Sequence, residues 1–253
     1  MKYLSFVGLL ILCFSQSFGI KPLKKYQTTP NQYNLPFTDK MLVSTDSALI
    51  STWYLRHDSI PKGTYMLAYG DAGNKSYLVQ HAYMFYHQGY DVLLFDYRGF
   101  GGSSDFQHDS TFLYHKEYFE DFQTVYDYVQ SVNRGPRLHI YAQSMGTIFA
   151  IRVQLLDNNF LILDSPVLSL KYARKALLKS KNKKLKTPKL HPKHSPKNLI
   201  IFYGLKDILI QSKDIETYIN GKAVLLNVLD VNHLGSISYL QNSYFDFIRL
   251  AVN

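Results

Sequence analysis

The chain has 253 residues, 46% of them hydrophobic, and a formal net charge of +9. That length suffices for one large domain with a substantial core and demands no second one. The single cysteine, Cys13, excludes an intrachain disulfide framework.

The first residues differ in kind from the rest. Lys2 supplies a positive start, Tyr3 to Phe14 is almost wholly apolar, and Ser15 to Gly19 is small and polar. This is the pattern of a secretory signal peptide, with Ser17-Phe18-Gly19 as a small-x-small cleavage site. The apolar run is about twelve residues, shorter than the ~18–20 needed to span a bilayer. Residues 1–19 are therefore expected to be a leader and 20–253 the folded domain of a secreted or periplasmic protein. Cleavage would also remove Cys13, leaving neither a thiol nucleophile nor a cysteine-ligated metal. A lipid anchor on Cys13 is a weaker alternative, because Leu12 stands where such signals place Gly, Ala or Ser.

The body alternates short apolar runs with helical patterns. Strands are predicted at Met41–Val43 with Ile50–Leu55, then Tyr65–Tyr69, Asp91–Asp96, Leu138–Ala142, Phe160–Leu163, Leu199–Tyr203 and Val224–Leu229. Several are continuous apolar runs, as expected where both faces of a sheet are buried. Tyr118, Phe122, Val125, Tyr126 and Val129 form one helical stripe, and Tyr77/Leu78, Ala82 and Phe85 another before Gly89. A final helix is predicted over Ser238–Leu250. The alternation implies an α/β fold with a mostly parallel sheet covered by helices on both faces. In such sheets ligands bind at the carboxyl ends of the strands.

Between strands six and seven lies the source of the net charge. Residues 171–197 carry ten Lys and one Arg, and no acid occurs between Asp164 and Asp207. Without those eleven cations the remainder has a formal charge of −2. Lys171 to Lys197 is read as a solvated surface excursion or as a patch for anionic lipid headgroups, cell-surface polymers or acidic substrates. Nucleic-acid binding is not expected, since the patch lacks interleaved aromatics and recognised motifs.

Three residues with complementary chemistry follow predicted strands. Ser144 stands in A142-Q-S-M-G146, where a strand breaks at a serine flanked by small residues. This matches a nucleophile elbow except that Ala142 replaces the first glycine of G-x-S-x-G. Asp207 follows Leu199–Tyr203, and His233 follows Val224–Leu229. A serine hydroxyl needs a base near neutral pH, which histidine provides, and an acid to fix the imidazole tautomer. Asp164, also at a strand end, is the rival acid, while Asp230 is too near His233 along the chain. The glycine-rich turn Gly70 to Asn74 could present the N–H of Asp71, with that of Met145, to a developing oxyanion.

Together these pieces resemble the α/β-hydrolase superfamily, in particular its compact serine hydrolases, the monoacylglycerol-lipase-like and serine-aminopeptidase-like members. Y-G-D-A-G-N at 69–74 is similar to the family's H-G-N-A-G-N oxyanion loop. L-L-F-D-Y-R-G-F-G-G-S-S at 93–104 is similar to its D-Y-R-G-Y-G-x-S turn, in which Asp96, Arg98 and Gly99 shape the chain and do no chemistry. The resemblance spans residues 40–250 and implies a Ser144–His233–Asp207 triad, no metal or organic cofactor, and a short lid over 168–197. It implies hydrolysis of a small-molecule or lipid-like carboxylic ester through an acyl-enzyme on Ser144. An amidase or peptidase would use the same triad. A non-catalytic binding protein on this fold would instead use the basic surface. Tyr69 and Asp71 depart from the family pattern, and the Asp71 carboxylate would have to point away from the oxyanion site or activity would suffer.

Overall fold

The computed structural model describes residues 20–109, 111–181, 185–194, 196–220 and 223–252. The leader expected at 1–19, with Cys13, lies outside the described residues. Among the described residues ten strands form: β1 (Lys21–Pro22), β2 (Thr38–Val43), β3 (Leu49–Leu55), β4 (Thr64–Ala68), β5 (Ala72–Gly73), β6 (Asp91–Phe95), β7 (Leu138–Gln143), β8 (Phe160–Asp164), β9 (Asn198–Gly204) and β10 (Ala223–Leu229). Eight of them make one sheet in the order β10-β9-β8-β7-β4-β6-β3-β2. The β2–β3 and β3–β6 pairs are antiparallel, and all the others are parallel. The remaining two, β1 and β5, pair with each other in parallel.

The order locates the site. From central β4 the chain passes to β6 on one side and later to β7 on the other, so the crossovers diverge at the carboxyl ends of β4 and β7. That divergence opens a crevice where ligands bind in open α/β sheets. Strands β4, β6 and β7 are buried along almost their whole length, in keeping with their unbroken apolar sequences.

Helices cover both faces. On one side lie α1 (Val79–His87) and α7 (Asn242–Val252), where Phe85 stacks on Tyr65 of β4 at 4.0 Å and meets Phe245 at 5.7 Å. On the other lie α2 (Glu117–Val132) and α3 (Met145–Ala150), where Phe122 meets Phe95 of β6 at 6.0 Å and Tyr118 meets Phe149 at 6.3 Å. The stripe read from Tyr118 to Val129 is the buried face of α2.

The predicted final helix is two: α6 (Ser236–Leu240) and α7, broken at Gln241 with φ 51°. Two further helices, α4 (Leu170–Lys181) and α5 (Ser212–Ile219), were not anticipated from sequence. After α4 the basic segment folds back on the body. Leu113 N–H donates to Lys186 O and Lys186 N–H to Thr111 O, while His194 N–H donates to Ile151 O.

The turn after β6 is fastened by ions. Arg98 donates Nε and Nη2 to Asp121 Oδ1 of α2 at 2.8 and 2.7 Å, and its backbone N–H to Oδ2 at 2.8 Å. Its other edge grips Asp46, between β2 and β3, in a bidentate pair. Burial pushes Asp121 up to about 6, against the pull of Arg98. Arg98→Met should therefore destabilise the fold by about 3–5 kcal/mol in urea denaturation, because it strands a buried carboxylate. Asp46→Asn, on the more exposed side, should cost much less.

Candidate active site

Ser144 is the single residue between β7 and α3, and the backbone must reverse there. Its φ of 47° and ψ of −116° are strained for a residue with a Cβ and cost about 1–3 kcal/mol. The neighbours make that turn possible. A Cβ on Gly146 would lie 2.7 Å from Ala68 O and 2.8 Å from Tyr69 O, so only glycine lets α3 start this close to β4. Ala142 is fully buried and faces Ala68 and Leu163 across the sheet. A methyl group fits there, which explains the tolerated departure from G-x-S-x-G.

The other two residues arrive from the far side of the sheet. Asp207 sits in the turn after β9 and His233 in the loop after β10. Gly204 lets those loops meet, since a Cβ there would lie 2.0 Å from Val231 O. Lys206 N–H then donates to Val231 O at 3.1 Å. His233 Nδ1 lies 2.5 Å from Asp207 Oδ2, and His233 Nε2 lies 2.8 Å from Ser144 Oγ. The remaining oxygen of Asp207 accepts from Leu209 N–H at 2.9 Å. With Nδ1 donating to the carboxylate, Nε2 is left to accept the serine proton.

Asp164, the rival acid, is buried elsewhere. It accepts from Tyr244 Oη at 2.8 Å and Ser236 Oγ at 3.0 Å, tying β8 to α6 and α7. Next to it Ser165, at φ 51°, accepts from Leu234 N–H at 2.8 Å. Asp164 and Ser165 thus fix the loop that carries His233 without touching its ring. Asp230 pairs with exposed Lys206.

The turn after β4 lies against the nucleophile: a Cβ on Gly70 would be 3.2 Å from Ser144 Cβ. Asp71 follows directly. Met145 opens α3, where a backbone N–H has no acceptor within the helix. Of the two amides named from sequence, that of Met145 directly follows Ser144, and that of Asp71 follows the Gly70 that lies against it. Tyr69, in place of the family's histidine, accepts from Tyr97 N–H at 3.2 Å and so braces the next turn. Burial raises the pKa of Asp71, and the charge of His233 pulls it back down.

Burial lowers the pKa of His233, but the hydrogen bond and charge of Asp207, then the charges of Asp71 and Asp164, outweigh it and raise the value above 6.5. Among the described residues no group of three or more His, Cys, Asp or Glu could hold a metal ion. Sequence reading missed the roles of Gly204 and Ser165. The first was visible only as part of Y-G-L-K-D, and the second had no signal.

Residues 60–214 match the family described as Serine aminopeptidase, S33. A Haemophilus influenzae protein named "Probable lysophospholipase L2" is 34% identical over 100 residues, covering 38% of this chain and 31% of that protein. The chain thus matches about a third of that relative's length. Among solved structures, an esterase of Pyrococcus furiosus superposes with a TM-score of 0.74 at 19% identity, covering 92% of this chain and 97% of that one. A Xanthomonas campestris α/β serine hydrolase without a lid gives a TM-score of 0.57 at 13% identity, over 85% and 91% of the two chains.

The electrostatics are directly measurable. In an NMR titration His233 should titrate above 6.5. Asp207→Asn should lower that midpoint most, and Asp71→Asn should lower it by a smaller amount. An unmoved midpoint in Asp71→Asn would show that its carboxylate does not act on the imidazole.

Proposed function

The chain belongs to the Serine aminopeptidase, S33 family of α/β-hydrolases, and from that premise we propose that it cleaves carboxylic esters through an acyl-enzyme on Ser144. One observation carries the proposal: the unbroken hydrogen-bonded line from Ser144 Oγ through His233 to Asp207, with the serine held on a strained elbow. Ser144 Oγ attacks the carbonyl carbon as His233 Nε2 takes its proton. The N–H groups of Asp71 and Met145 receive the oxyanion. Collapse breaks the ester C–O bond, and His233 returns the proton to the leaving alcohol. Water then attacks the acyl-enzyme with His233 again as base, releasing the acid and restoring Ser144.

The names of the relatives favour esters over amides, and the lysophospholipase name favours a lipid-like ester. The basic segment Lys171–Lys197 would draw such a substrate from an anionic surface. Among the described residues no helix is long and apolar enough to cross a membrane. Secretion through the 1–19 leader is part of the same proposal. The family description supports a second reading, an amidase or peptidase with the same residues.

A fluorophosphonate probe should label the protein, and Ser144→Ala should abolish labelling. Absence of labelling in folded wild-type protein would defeat the enzyme reading and favour a binding protein. Asp207→Asn should lower kcat by about 10³–10⁴-fold, and Asp164→Asn by far less when compared at equal folded fraction. The p-nitrophenyl esters should turn over faster than aminoacyl anilides; the reverse order would favour the peptidase. Activity should fall as pH drops through the raised pKa of His233, since the imidazolium cannot accept the serine proton.

A further inference from the structure

The oxyanion turn after β4 is held on its outer side by a piece of chain distant in sequence. Residues 21–28 run alongside residues 71–76 and are bonded to them repeatedly. Lys21 N–H donates to Asp71 O at 2.8 Å and Leu23 N–H to Gly73 O at 2.9 Å. Gln27 N–H donates to Ser76 Oγ at 3.1 Å and Thr28 Oγ1 to Ser76 O at 2.9 Å.

Asn74 is the hub. It is fully buried, and its Nδ2 donates to both Leu23 O and Lys25 O at 2.9 Å. Its Oδ1 accepts from Ser76 N–H at 3.1 Å and Ser76 Oγ at 2.6 Å, capping the short helix that follows. One side chain therefore sets the turn against both the segment before it and the helix after it.

The segment is itself anchored. Gly101 N–H donates to Leu23 O at 2.9 Å, and Tyr26 Oη donates to Asp96 Oδ2 at 2.8 Å. Asp96 Oδ1 in turn accepts from Lys75 N–H at 2.7 Å, beside the buried Lys75–Asp96 ion pair. The Tyr26 ring packs on Trp53 at 4.6 Å. Residues 21–28 are thus fixed to the body independently of the turn they hold.

We propose that residues 21–28 are a positioning strap for the oxyanion hole, with Asn74 and the Lys21 amide as its working contacts. This rests on the assignment of the Asp71 N–H as an oxyanion donor. A backbone donor stabilises the oxyanion only at hydrogen-bonding distance from where it forms, and small misplacements near a reacting centre cost rate steeply. The strap fixes the Asp71 carbonyl and the Asn74 side chain, leaving the Gly70–Asp71 peptide little freedom to swing from Ser144. Any N-terminal processing compatible with activity must then stop before Lys21, as cleavage after Gly19 does.

Two variants of the full-length protein isolate the contacts. Lys21→Pro removes one N–H from an exposed position. Asn74→Asp keeps the cap on Ser76 but replaces two donors with an acceptor facing two carbonyls. Each should lower ester kcat by about tenfold or more, part of the 100- to 1,000-fold value of an oxyanion donor. KM should stay unchanged, because the triad is untouched, and the acid limb of the pH profile should move no further than it does in Asp71→Asn. Lys21→Ala, which keeps the N–H, should restore the wild-type rate. Hydrogen exchange of the 70–76 amides should quicken in both variants and not in Lys21→Ala. Unchanged exchange would overturn the strap, and faster exchange with unchanged kcat would overturn its catalytic role. If wild-type protein neither labels nor hydrolyses esters, the triad reading fails, while the exchange measurement still decides whether the strap holds the turn.

Discussion

The left-handed backbone at Ser144 is the constraint on which the rest of the site depends. A residue with a Cβ is held there only where its surroundings leave no easier path. Those surroundings are the buried β7 on one side and the start of α3 on the other, both pressed against β4. Gly146 must lack a side chain for α3 to begin so near Ala68 and Tyr69. Ala142 can keep one because its partner across the sheet is Ala68. The strain lifts Oγ out of the sheet, toward the loops from β4, β9 and β10.

Each of those loops solves a separate problem of approach. Gly204 lets the His233 loop settle on the Asp207 turn, and Gly70 lets the turn after β4 lie on Ser144. Asp164 and Ser165 hold the His233 loop from below, through Ser236, Tyr244 and Leu234. Asp164 is therefore bound up with the histidine although it is not the acid that touches it. Two aspartates at adjacent strand ends look alike in sequence. They are separated by what surrounds them: hydroxyl donors around Asp164, an imidazole and a backbone amide around Asp207.

This also explains what was legible in the sequence. Strands β4, β6, β7, β8 and β9 are buried on both faces, so their unbroken apolar runs announced them to within about a residue or two. Ser144, Asp207 and His233 were legible because strand ends are where this architecture puts chemistry. Helices α4 and α5 were not: the apolar residues of α4 are interleaved with the lysines of a basic run that reads as a surface excursion, and α5 is only eight residues long. The break at Gln241 lies inside an otherwise helical pattern and depends on a positive φ that no glycine advertises. Residues 21–28 gave no signal, because their contacts combine backbone bonds with side chains, such as Tyr26 and Thr28, whose partners lie far along the chain.

Asp71 brings these points together. Its charge raises the pKa of His233 and so, in the proposed mechanism, favours the imidazolium that forms when Ser144 is deprotonated. The same charge disfavours the oxyanion formed in that step, so the two effects oppose each other. In the proposed mechanism the turn contributes a backbone N–H to the oxyanion, a group that every residue but proline carries. The identity of residue 71 can therefore drift, provided the backbone stays in place. Backbone placement here depends on Gly70, Gly73, Asn74 and the chain alongside them more than on residue 71. In the proposed mechanism an acid at this position is compatible with catalysis for that reason, its charge acting on both His233 and the oxyanion.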